Sequence, residues 1–393
     1  MMRPIDVHRT VRLTSGFSLV ELLVSVVVGL LAIMFATRLM LGGEQNRSAA
    51  VGGSDAMQNG MLALFSIQND AGQAGWGLND DLINGCNTLM ADTQGFTLAG
   101  ATRNGAAITP LTAAVIVNGG TRSDTLTLYS GSGPAGVGSV RVYNNYASGT
   151  TIGTDTQKPF AFNQGDVIVV APEPVGGNCS LAQLSSEPTT QNLAIATGNA
   201  FRFNSGGLAA GAYTAGQARV FNLGRGAKLA FHTWSVSNGV LLLRATDLAG
   251  TARTPQSVIG NVVAIKAQYG FDTRAAAVFD PKQGMQVTRW SNTMIDADGD
   301  TVAGDPGDFQ RVAALRIAVV ARSGMPDKPT AGGTTCAATP AAQTVFNTAA
   351  PAGVAAVPVT VALDATGETV SWTCYRYRVF ETIVPIRNAG WRP

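Results

Sequence analysis

The chain has 393 residues, with 27 Lys and Arg against 25 Asp and Glu, and a net charge of +2 at pH 7. A charge this close to neutral excludes bulk electrostatic attraction as a route to nucleic acid or anionic lipid. Hydrophobic residues make up 46% of the chain and there are 46 glycines, which favours a packed, turn-rich fold and excludes a disordered chain.

The N-terminal segment is polar up to Gly16 and apolar beyond it. Residues 1–16 contain three arginines and one aspartate, and the apolar run that starts at Phe17 holds a single acidic residue, Glu21. An ordinary secretory signal has a small-residue cleavage site after its apolar region, whereas here the small residue comes first. Cleavage after Gly16 would therefore remove the charged leader, keep the apolar segment, and leave 24 basic and 24 acidic side chains.

This order resembles the class III signal of type IV prepilins, whose pattern Gly-Phe-(Ser/Thr)-Leu-(Ile/Val)-Glu is matched by residues 16–21 at every position. The resemblance implies cleavage between Gly16 and Phe17 by a prepilin peptidase and N-methylation of the new Phe17 amine. It also implies that the Glu21 carboxylate neutralises the Phe17 amine of a neighbouring subunit as a filament grows. The alternative is a signal anchor whose Glu21 lies among lipid headgroups.

The apolar run is long enough to cross a membrane. A helix over residues 17–41 would measure about 37 Å, against a hydrocarbon thickness of roughly 30 Å. A carboxylate deep in such a helix costs roughly 2.5–3.5 kcal/mol and normally has a partner. Glu21 is therefore a functional candidate.

A weaker helical pattern continues over residues 44–71, so the sequence predicts one long helix over 17–71. Each of its glycines lowers the stability of the helix by up to about 1 kcal/mol relative to alanine. The glycines therefore predict soft points, where the helix is easily deformed. An apolar stripe at three- and four-residue steps predicts the face that packs on a sheet. The stripe consists of Ala50, Met57, Met61, Leu64 and Phe65.

Beyond residue 72, short β-branched or aromatic runs alternate with Gly, Asn, Pro and Ser, which indicates strands and turns. Residues 329–360 are predicted to form a long loop. The fold class is α+β: a long N-terminal transmembrane helix, with 17–41 in the membrane or filament core, and a large antiparallel β-rich head over 72–393. The predicted strands are 125–129, 139–143, 167–170, 218–223, 228–236, 239–245, 262–270, 313–321 and 375–385.

The four cysteines lack a C-x-x-C pair, which argues against zinc ribbons and thioredoxin-like sites. In an exported head, an even number indicates two disulfides with three possible connectivities, and free buried thiols are the alternative. We favour Cys336–Cys374 and, by elimination, Cys86–Cys179.

Enzyme chemistry has little support in this sequence, and we expect neither an enzyme nor an organic cofactor. After loss of the leader, His232 is the single histidine, and it lies in an apolar segment typical of a structural strand. There is no G-x-S-x-G nucleophile elbow. Residues 131–136 satisfy G-x-G-x-x-G, but Pro134 and the strand pattern that follows predict a hairpin loop, not the helix that a dinucleotide site needs.

An acidic loop over residues 296–308 is the best candidate metal site, because clustered carboxylate oxygens suit calcium. It departs from the EF-hand pattern at position six, which is Thr301, and at position twelve, which is Gly307. A solvated acidic turn is the alternative. The candidate ligands are Asp296, Asp298, Asp300, Asp305 and Asp308.

Further stretches resemble PilW-like minor pilins at the end of the long helix, in a central strand pair and at the C-terminus. The stretches are Asp70 with 74–77 and Cys86; 268–272 with Trp290, 298–300 and 311–322; and 375–382 with Pro385, Arg387 and Asn388.

Near the C-terminus, Arg376 and Arg378 alternate with Tyr375 and Tyr377, a pattern that can hold single-stranded nucleic acid. Because the net charge is near zero, we favour paired surface charges and core tyrosines.

The resemblance implies a non-enzymatic minor pilin, made in the inner membrane with its head in the periplasm and then assembled into a pilus at the cell surface. Its implied partners are other minor and major pilins, the prepilin peptidase/methyltransferase and a tip adhesin. A large head favours a place at or near the tip, in support of motility and adhesion. The alternatives are a type II secretion pseudopilin, a DNA-uptake pilin and a membrane-anchored periplasmic enzyme.

Overall fold

The structure is a computed structural model that describes residues 16, 18–133, 138–328, 336, 338–364 and 369–390, without the side chains of 41–50 and 389–390. The leader up to residue 15 and the predicted methylation site Phe17 lie outside the described residues. The chain forms two compact units, Met1–Val51 and Gly52–Pro393.

A single helix, α1 (Leu19–Gln73), runs through 55 residues and confirms the predicted long N-terminal helix. Its segment Leu19–Met40 has a mean hydropathy of 2.7, is not buried, and is long and apolar enough to cross a membrane. The other α-helices in the described residues are single turns, α2 (Pro306–Phe309) and α3 (Arg387–Gly390). Three 3₁₀ turns cover Gly226–Lys228, Pro281–Gln283 and Trp372–Cys374.

Short strands build the rest of the described chain. In chain order they are β1 (Cys86–Met90), β2 (Ala101–Arg103), β3 (Ala106–Ile108), β4 (Pro110–Leu111), β5 (Ala114–Val117), β6 (Thr125–Ser130) and β7 (Gly138–Arg141). Next come β8 (Thr151–Gly153), β9 (Asp166–Pro172), β10 (Asn178–Gln183), β11 (Asn192–Ala194), β12 (Ala218–Arg225), β13 (Ala230–Ser237) and β14 (Val240–Ala245). The last are β15 (Gln256–Gly260), β16 (Val262–Phe271), β17 (Arg289–Ser291), β18 (Val312–Arg322), β19 (Gln343–Val345), β20 (Val359–Val361) and β21 (Tyr377–Pro385).

These strands form three main sheets, which are antiparallel apart from the β1–β10 pair. Sheet I has the order β4-β1-β10-β9-β12-β7, sheet II β15-β14-β13-β6-β5, and sheet III β17-β16-β18-β21. Each of the nine predicted strands is present with ends within two residues of the prediction. The predicted loop over 329–360 contains β19 and reaches β20, which pair as a small hairpin.

The core has layers on both faces of sheet II. One face packs with sheet III and with Ala63, Ile67 and Ala71 of α1. The opposite face packs against sheet I, with Tyr129 and Phe231 among its largest side chains. The strands β5 and β6 of sheet II are therefore buried on both faces, whereas its edge strand β15 is largely exposed.

The predicted packing stripe of α1 is wrong except at Leu64, which packs against the core. Met57, Met61 and Phe65 are exposed, and Leu64 is half-buried, while the side chain of Ala50 lies outside the described ones. The face that packs on the sheets instead carries mostly small residues: Gly52, Ala56, Gly60, Ala63, Ile67 and Ala71. Size, not hydrophobicity alone, therefore decides which face of this helix is buried.

Gly60 shows why small residues are required. A Cβ at this position would overlap the ring of Phe380 on β21 and lie 3.1 Å from the Cβ of Ala321 on β18. The predicted soft point at Gly60 is thus a point of close contact between helix and sheet. Gly53, on the same helix, has nothing within 4 Å of its Cβ position.

We expect Gly60→Ala to lower the free energy of unfolding by about 1–3 kcal/mol, because overpacking outweighs the roughly 1 kcal/mol gained in helix propensity. Urea unfolding of the detergent-solubilised full-length protein, followed by tryptophan fluorescence, measures the change. Gly53→Ala is the matched control and should be neutral or slightly stabilising. Equal midpoints for the two variants would contradict the close contact.

Candidate functional site

The described part of the prepilin-like motif lies at the start of α1. Gly16 is exposed, and Ser18 precedes the helix with its Oγ accepting a hydrogen bond from the Val20 amide at 3.3 Å. Glu21 is exposed in the first helical turn. A serine followed three residues later by glutamate has capping-box spacing, and a carboxylate in the first turn is favoured by the helix dipole. The Glu21 carboxylate thus lies where the helix dipole favours it, at a position that the Ser-x-x-Glu spacing marks in the sequence.

Beyond Glu21, α1 presents an apolar surface with no partner inside this unit. Residues 22–37 carry no charge, and the apolar side chains over Leu19–Met40 are exposed. Such a surface needs lipid or other helices around it, since large exposed apolar areas mark membrane or protein contacts.

The other end of α1 is joined to the head by a polar cluster around Asp70. The Oδ2 of Asp70 accepts hydrogen bonds from Trp234 Nε1 and pairs with His232 Nδ1, each at 2.8 Å. His232 Nε2 lies 2.8 Å from Asp247 Oδ1. Asn388 makes a second connection between the head and the end of α1, because its Nδ2 donates a hydrogen bond to the carbonyl oxygen of Gln73 at 3.1 Å.

The charge state of His232 follows from its two carboxylate partners. Burial lowers the pKa of His232, but the hydrogen bonds to Asp247 and Asp70 outweigh burial and raise the pKa to about 9. Burial alone would raise the pKa of Asp247, yet its bond to His232 lowers it. An imidazolium between two carboxylates is thus the stable form at neutral pH. Each ring nitrogen is occupied by a carboxylate, which agrees with the structural role predicted for His232.

The acidic loop gathers its carboxylates into two overlapping triplets, in which the oxygens of each lie within 4.8 Å of one another. One triplet is Asp296, Asp298 and Asp308, and the other is Asp298, Asp300 and Asp305. Asp305 also caps α2, since its Oδ1 accepts from the Asp308 amide at 3.0 Å. Burial raises the pKa of Asp305, and so do the charges of Asp298 and Asp300.

Part of the loop has EF-hand geometry. Thr301 takes φ +79°, the left-handed conformation that the EF-hand reserves for glycine at position six. Asp296 at position one accepts hydrogen bonds from the amides of Gly299 at 2.7 Å and Thr301 at 3.0 Å. Position twelve remains Gly307, so the bidentate ligand of an EF-hand is missing there.

Asp308, next to that position, has a different role. It is fully buried, and its two oxygens accept from the amides of Ala297 and Gly304. Burial raises the pKa of Asp308 to about 6, and the charges of Asp305 and Asp298 add to the rise. Asp308 therefore anchors the loop, and calcium binding by the remaining carboxylates stays a prediction, to be measured by calorimetric titration with calcium chloride.

The glycine-rich segment is not a hairpin loop, so that prediction is wrong. β6 belongs to sheet II and β7 to sheet I, and the chain between them crosses from one sheet to the other. Among the described residues of this segment, Ser132 and Gly133 donate their amides to the carbonyl of Leu223 on β12. Residues 134–137 lie outside the described residues.

Three of the four C-terminal basic and aromatic residues have structural partners, and the fourth, Arg378, is exposed on β21. Arg376 precedes β21, not within it as predicted, and its Nη2 lies 2.8 Å from Asp327 Oδ2. Tyr375 is buried, and the Tyr377 hydroxyl donates to the Trp372 carbonyl at 3.1 Å. This arrangement agrees with paired surface charge and packed tyrosines.

Two disulfides connect the four cysteines, in the pairing favoured from the sequence. Cys86–Cys179 joins the neighbouring strands β1 and β10 of sheet I. Cys336–Cys374 joins the 329–360 segment to the turn before β21. The first links residues 93 positions apart and the second 38, so both close long loops and constrain the unfolded chain.

Comparison with known proteins gives one match to a family. Residues 232–388 match the family model described as Type IV Pilus-assembly protein W. This supports a type IV pilus-related protein. The matched part covers β13 to β21 together with His232, the acidic loop and Asn388. Neither the curated proteins nor the solved structures gave a match.

The His232 cluster predicts a pH dependence of stability. The pKa of His232 is about 9 in the folded chain, above its ordinary value of 6.5. The stability that protonated His232 contributes is therefore fully present below pH 6.5 and is lost as the pH rises through 9. We expect about 1–3 kcal/mol less free energy of unfolding at pH 9.5 than at pH 6 from this group. His232→Gln should remove that difference. A variant whose urea midpoint falls as steeply with pH as the wild type would contradict the assignment.

The Asp308 anchor predicts a metal-independent loss of stability. Asp308→Asn replaces one buried acceptor by a donor that faces an amide, so we expect a loss of about 2–4 kcal/mol in the free energy of unfolding. Urea unfolding in the presence of EDTA measures it. Asp300→Asn, on the exposed part of the loop, is the control and should change stability by less than about 0.5 kcal/mol.

Proposed function

We propose that this protein is a minor pilin that takes part in assembly of a type IV pilus. The observation that carries the proposal is the pilus-assembly family match over 232–388 in a chain that begins with the exposed apolar helix Leu19–Met40. The residues that join the end of α1 to the head, His232 and Asn388, fall inside the matched part. The same part of the chain thus carries the family signal and the attachment of the helix.

The proposed sequence of events begins in the inner membrane, with the head in the periplasm. The peptidase cuts between Gly16 and Phe17, the amine of Phe17 is methylated, and the apolar helix moves from lipid into a filament core. Its exposed apolar side chains then exchange lipid for the helices of other pilins. A head over residues 72–393 limits how many copies a regular filament can hold, which favours a place near the tip beside other minor pilins and an adhesin.

Glu21 would act twice in this process. Within its own chain, the carboxylate stabilises the helix start by roughly 0.3–1 kcal/mol. In the filament it would pair with the Phe17 amine of a neighbouring subunit. Once water is excluded, removing one partner of such a pair costs about 3–5 kcal/mol, so the second role dominates in the filament.

Substitutions at Glu21 and Ser18 separate these two roles. Glu21→Gln keeps a side chain able to accept a hydrogen bond but removes the charge, and Ser18→Ala removes the cap but keeps the charge. We expect Glu21→Gln and Glu21→Ala to lower the amount of this protein in sheared pili by about tenfold or more, with normal membrane levels. Ser18→Ala should lower it by less than about threefold. Equal losses for Glu21→Gln and Ser18→Ala would contradict subunit pairing.

Mass spectrometry of sheared pili tests the proposed function itself. We expect a sub-stoichiometric peptide that begins at N-methylated Phe17. Mature protein confined to the inner membrane would instead favour a secretion pseudopilin. A chain that still carries residues 1–16 would contradict the prepilin interpretation.

A further inference from the structure

A polar pocket lies at the edge of sheet III, beside the edge strand β17. Its volume is about 430 Å³, within the roughly 300–1,000 Å³ that is typical of small-molecule sites. Three parts of the chain line it: residues 288–293 around β17, Asn118 just after β5, and residues of the segment between β19 and β20. The pocket therefore draws on sheets II and III and on the segment that crosses sheet III.

Buried side chains of sheet III hold that segment in place as one wall of the pocket. Trp290 on β17 is 2% exposed, and its Nε1 donates to the carbonyl oxygen of Ala350 at 2.6 Å. Gln268 on β16 is fully buried, and its Nε2 donates to the carbonyl oxygen of Val357 at 2.7 Å. The wall is thus ordered before any ligand binds, which lowers the entropy that binding would cost.

The same buried glutamine orients a side-chain amide of the pocket. Gln268 Nε2 also donates to Asn292 Oδ1 at 2.7 Å, which leaves Asn292 Nδ2 as a donor without a partner among the described residues. Asn118 is arranged in the same way, because its Oδ1 accepts from the Gly120 amide at 2.8 Å. Gln268 Oε1, on the amide next to this lining, is buried and accepts no hydrogen bond from the described residues. The site thus offers two amide donors at its surface and one buried acceptor behind it.

The charge of the pocket is positive. Arg289 on β17 is exposed, and among the described residues no carboxylate lies within ion-pair distance of it. None of the described lining residues is acidic, and the next acidic residues along the chain on either side, Asp280 and Asp296, do not line the pocket. Asp272, just after β16, is fully buried and paired with Arg274. A guanidinium in this setting favours a carboxylate, whose two oxygens can accept two parallel N–H···O bonds.

The remaining groups of the pocket suit a hydroxylated ring better than a peptide. A docked peptide pairs with backbone donors and acceptors, but the carbonyl oxygens of Ala350 and Val357 already accept from Trp290 and Gln268. Amide side chains match sugar hydroxyls instead, because each hydroxyl both donates and accepts. Ala355 and Val357 add a small apolar surface for the C–H face of a ring.

We propose that this pocket binds a uronic acid unit of an acidic polysaccharide. The sugar carboxylate lies against Arg289, and the ring hydroxyls bond to the amides of Asn118 and Asn292. Asn118 and Thr293 are exposed at the mouth of the pocket, so the sugar chain can continue into solvent. The inference does not depend on the proposed function, since a pilus subunit and a membrane-anchored head can equally bind a polysaccharide.

Isothermal titration of the detergent-solubilised full-length protein tests the ligand class. The probes are trigalacturonate, with carboxylates and hydroxyls, maltotriose, with hydroxyls alone, and triglutamate, with carboxylates on a peptide. We expect saturable binding of trigalacturonate, and binding of the other two that is weaker by about tenfold or more, since each lacks one set of contacts. Absence of saturable trigalacturonate binding, or equal binding of maltotriose or triglutamate, would overturn the proposal.

Isosteric substitutions test the named contacts. Asn118→Asp and Asn292→Asp each keep the oxygen that accepts the internal hydrogen bond, but remove the Nδ2 donor and add a negative charge. Each of them, and Arg289→Gln, should weaken trigalacturonate binding by about tenfold or more, with urea midpoints close to that of the wild type. Arg378→Gln, at an exposed arginine outside the pocket, is the matched control and should leave binding unchanged. Equal affinities of the Arg289→Gln and Arg378→Gln variants would overturn the site.

Discussion

The close approach of α1 to sheet III is the constraint on which the head depends. Because Phe380 lies directly over Gly60, the helix can pack only along a face of small residues. That packing buries Ala63, Ile67 and Ala71 in the same core as both neighbouring sheets. The polar contacts of Asp70 with His232 and Trp234 then hold the last turn of the helix against β13. Larger apolar residues remain on the opposite face of the helix, where they are exposed.

The head has two parts with different relations to the rest of the chain. Sheet III and the strands β13 to β15 of sheet II come from the part that matches the pilus-assembly family, and they hold the helix. The strands of sheet I come from Cys86–Arg225, outside that match. The polar contacts of Asp70 and the close packing at Gly60 thus come from the matched part, whereas sheet I lies entirely outside it.

The sequence predicted the elements with strong local signals and missed those set by long-range packing. Runs such as 262–270 and 313–321 are long and mostly apolar, with three β-branched residues each, so their strands could be located to within two residues. Strands of two to four residues, such as β4 and β17, have no pattern of their own and exist because a neighbour pairs with them. The buried face of α1 was misassigned because hydrophobic spacing favours Met61 and Phe65, whereas the sheet requires a missing side chain at Gly60.

The candidate sites likewise divide into those that the sequence could locate and those whose residues only the fold brings together. Glu21 and the acidic loop could be found from sequence because their residues are neighbours along the chain. Asp70 and His232 are 162 positions apart, and their contact follows from the fold alone. The loop at Ala161 likewise depends on a hydrogen bond from Asn222, on a strand distant in sequence.

The joint between α1 and the head has a mechanical consequence. Asn388, close to the C-terminus, donates to the carbonyl oxygens of Gly72 and Gln73 at the end of α1 and of Ala74 just beyond it, so the two ends of the folded head meet at one point. Asp70 lies one turn before this joint, on the same helix. A pull along α1 would first load the close packing at Gly60 and Ala63 in shear, and only then the Asp70 and Asn388 contacts at the helix end. Resistance to force would therefore combine a long apolar contact with a few polar bonds that act last.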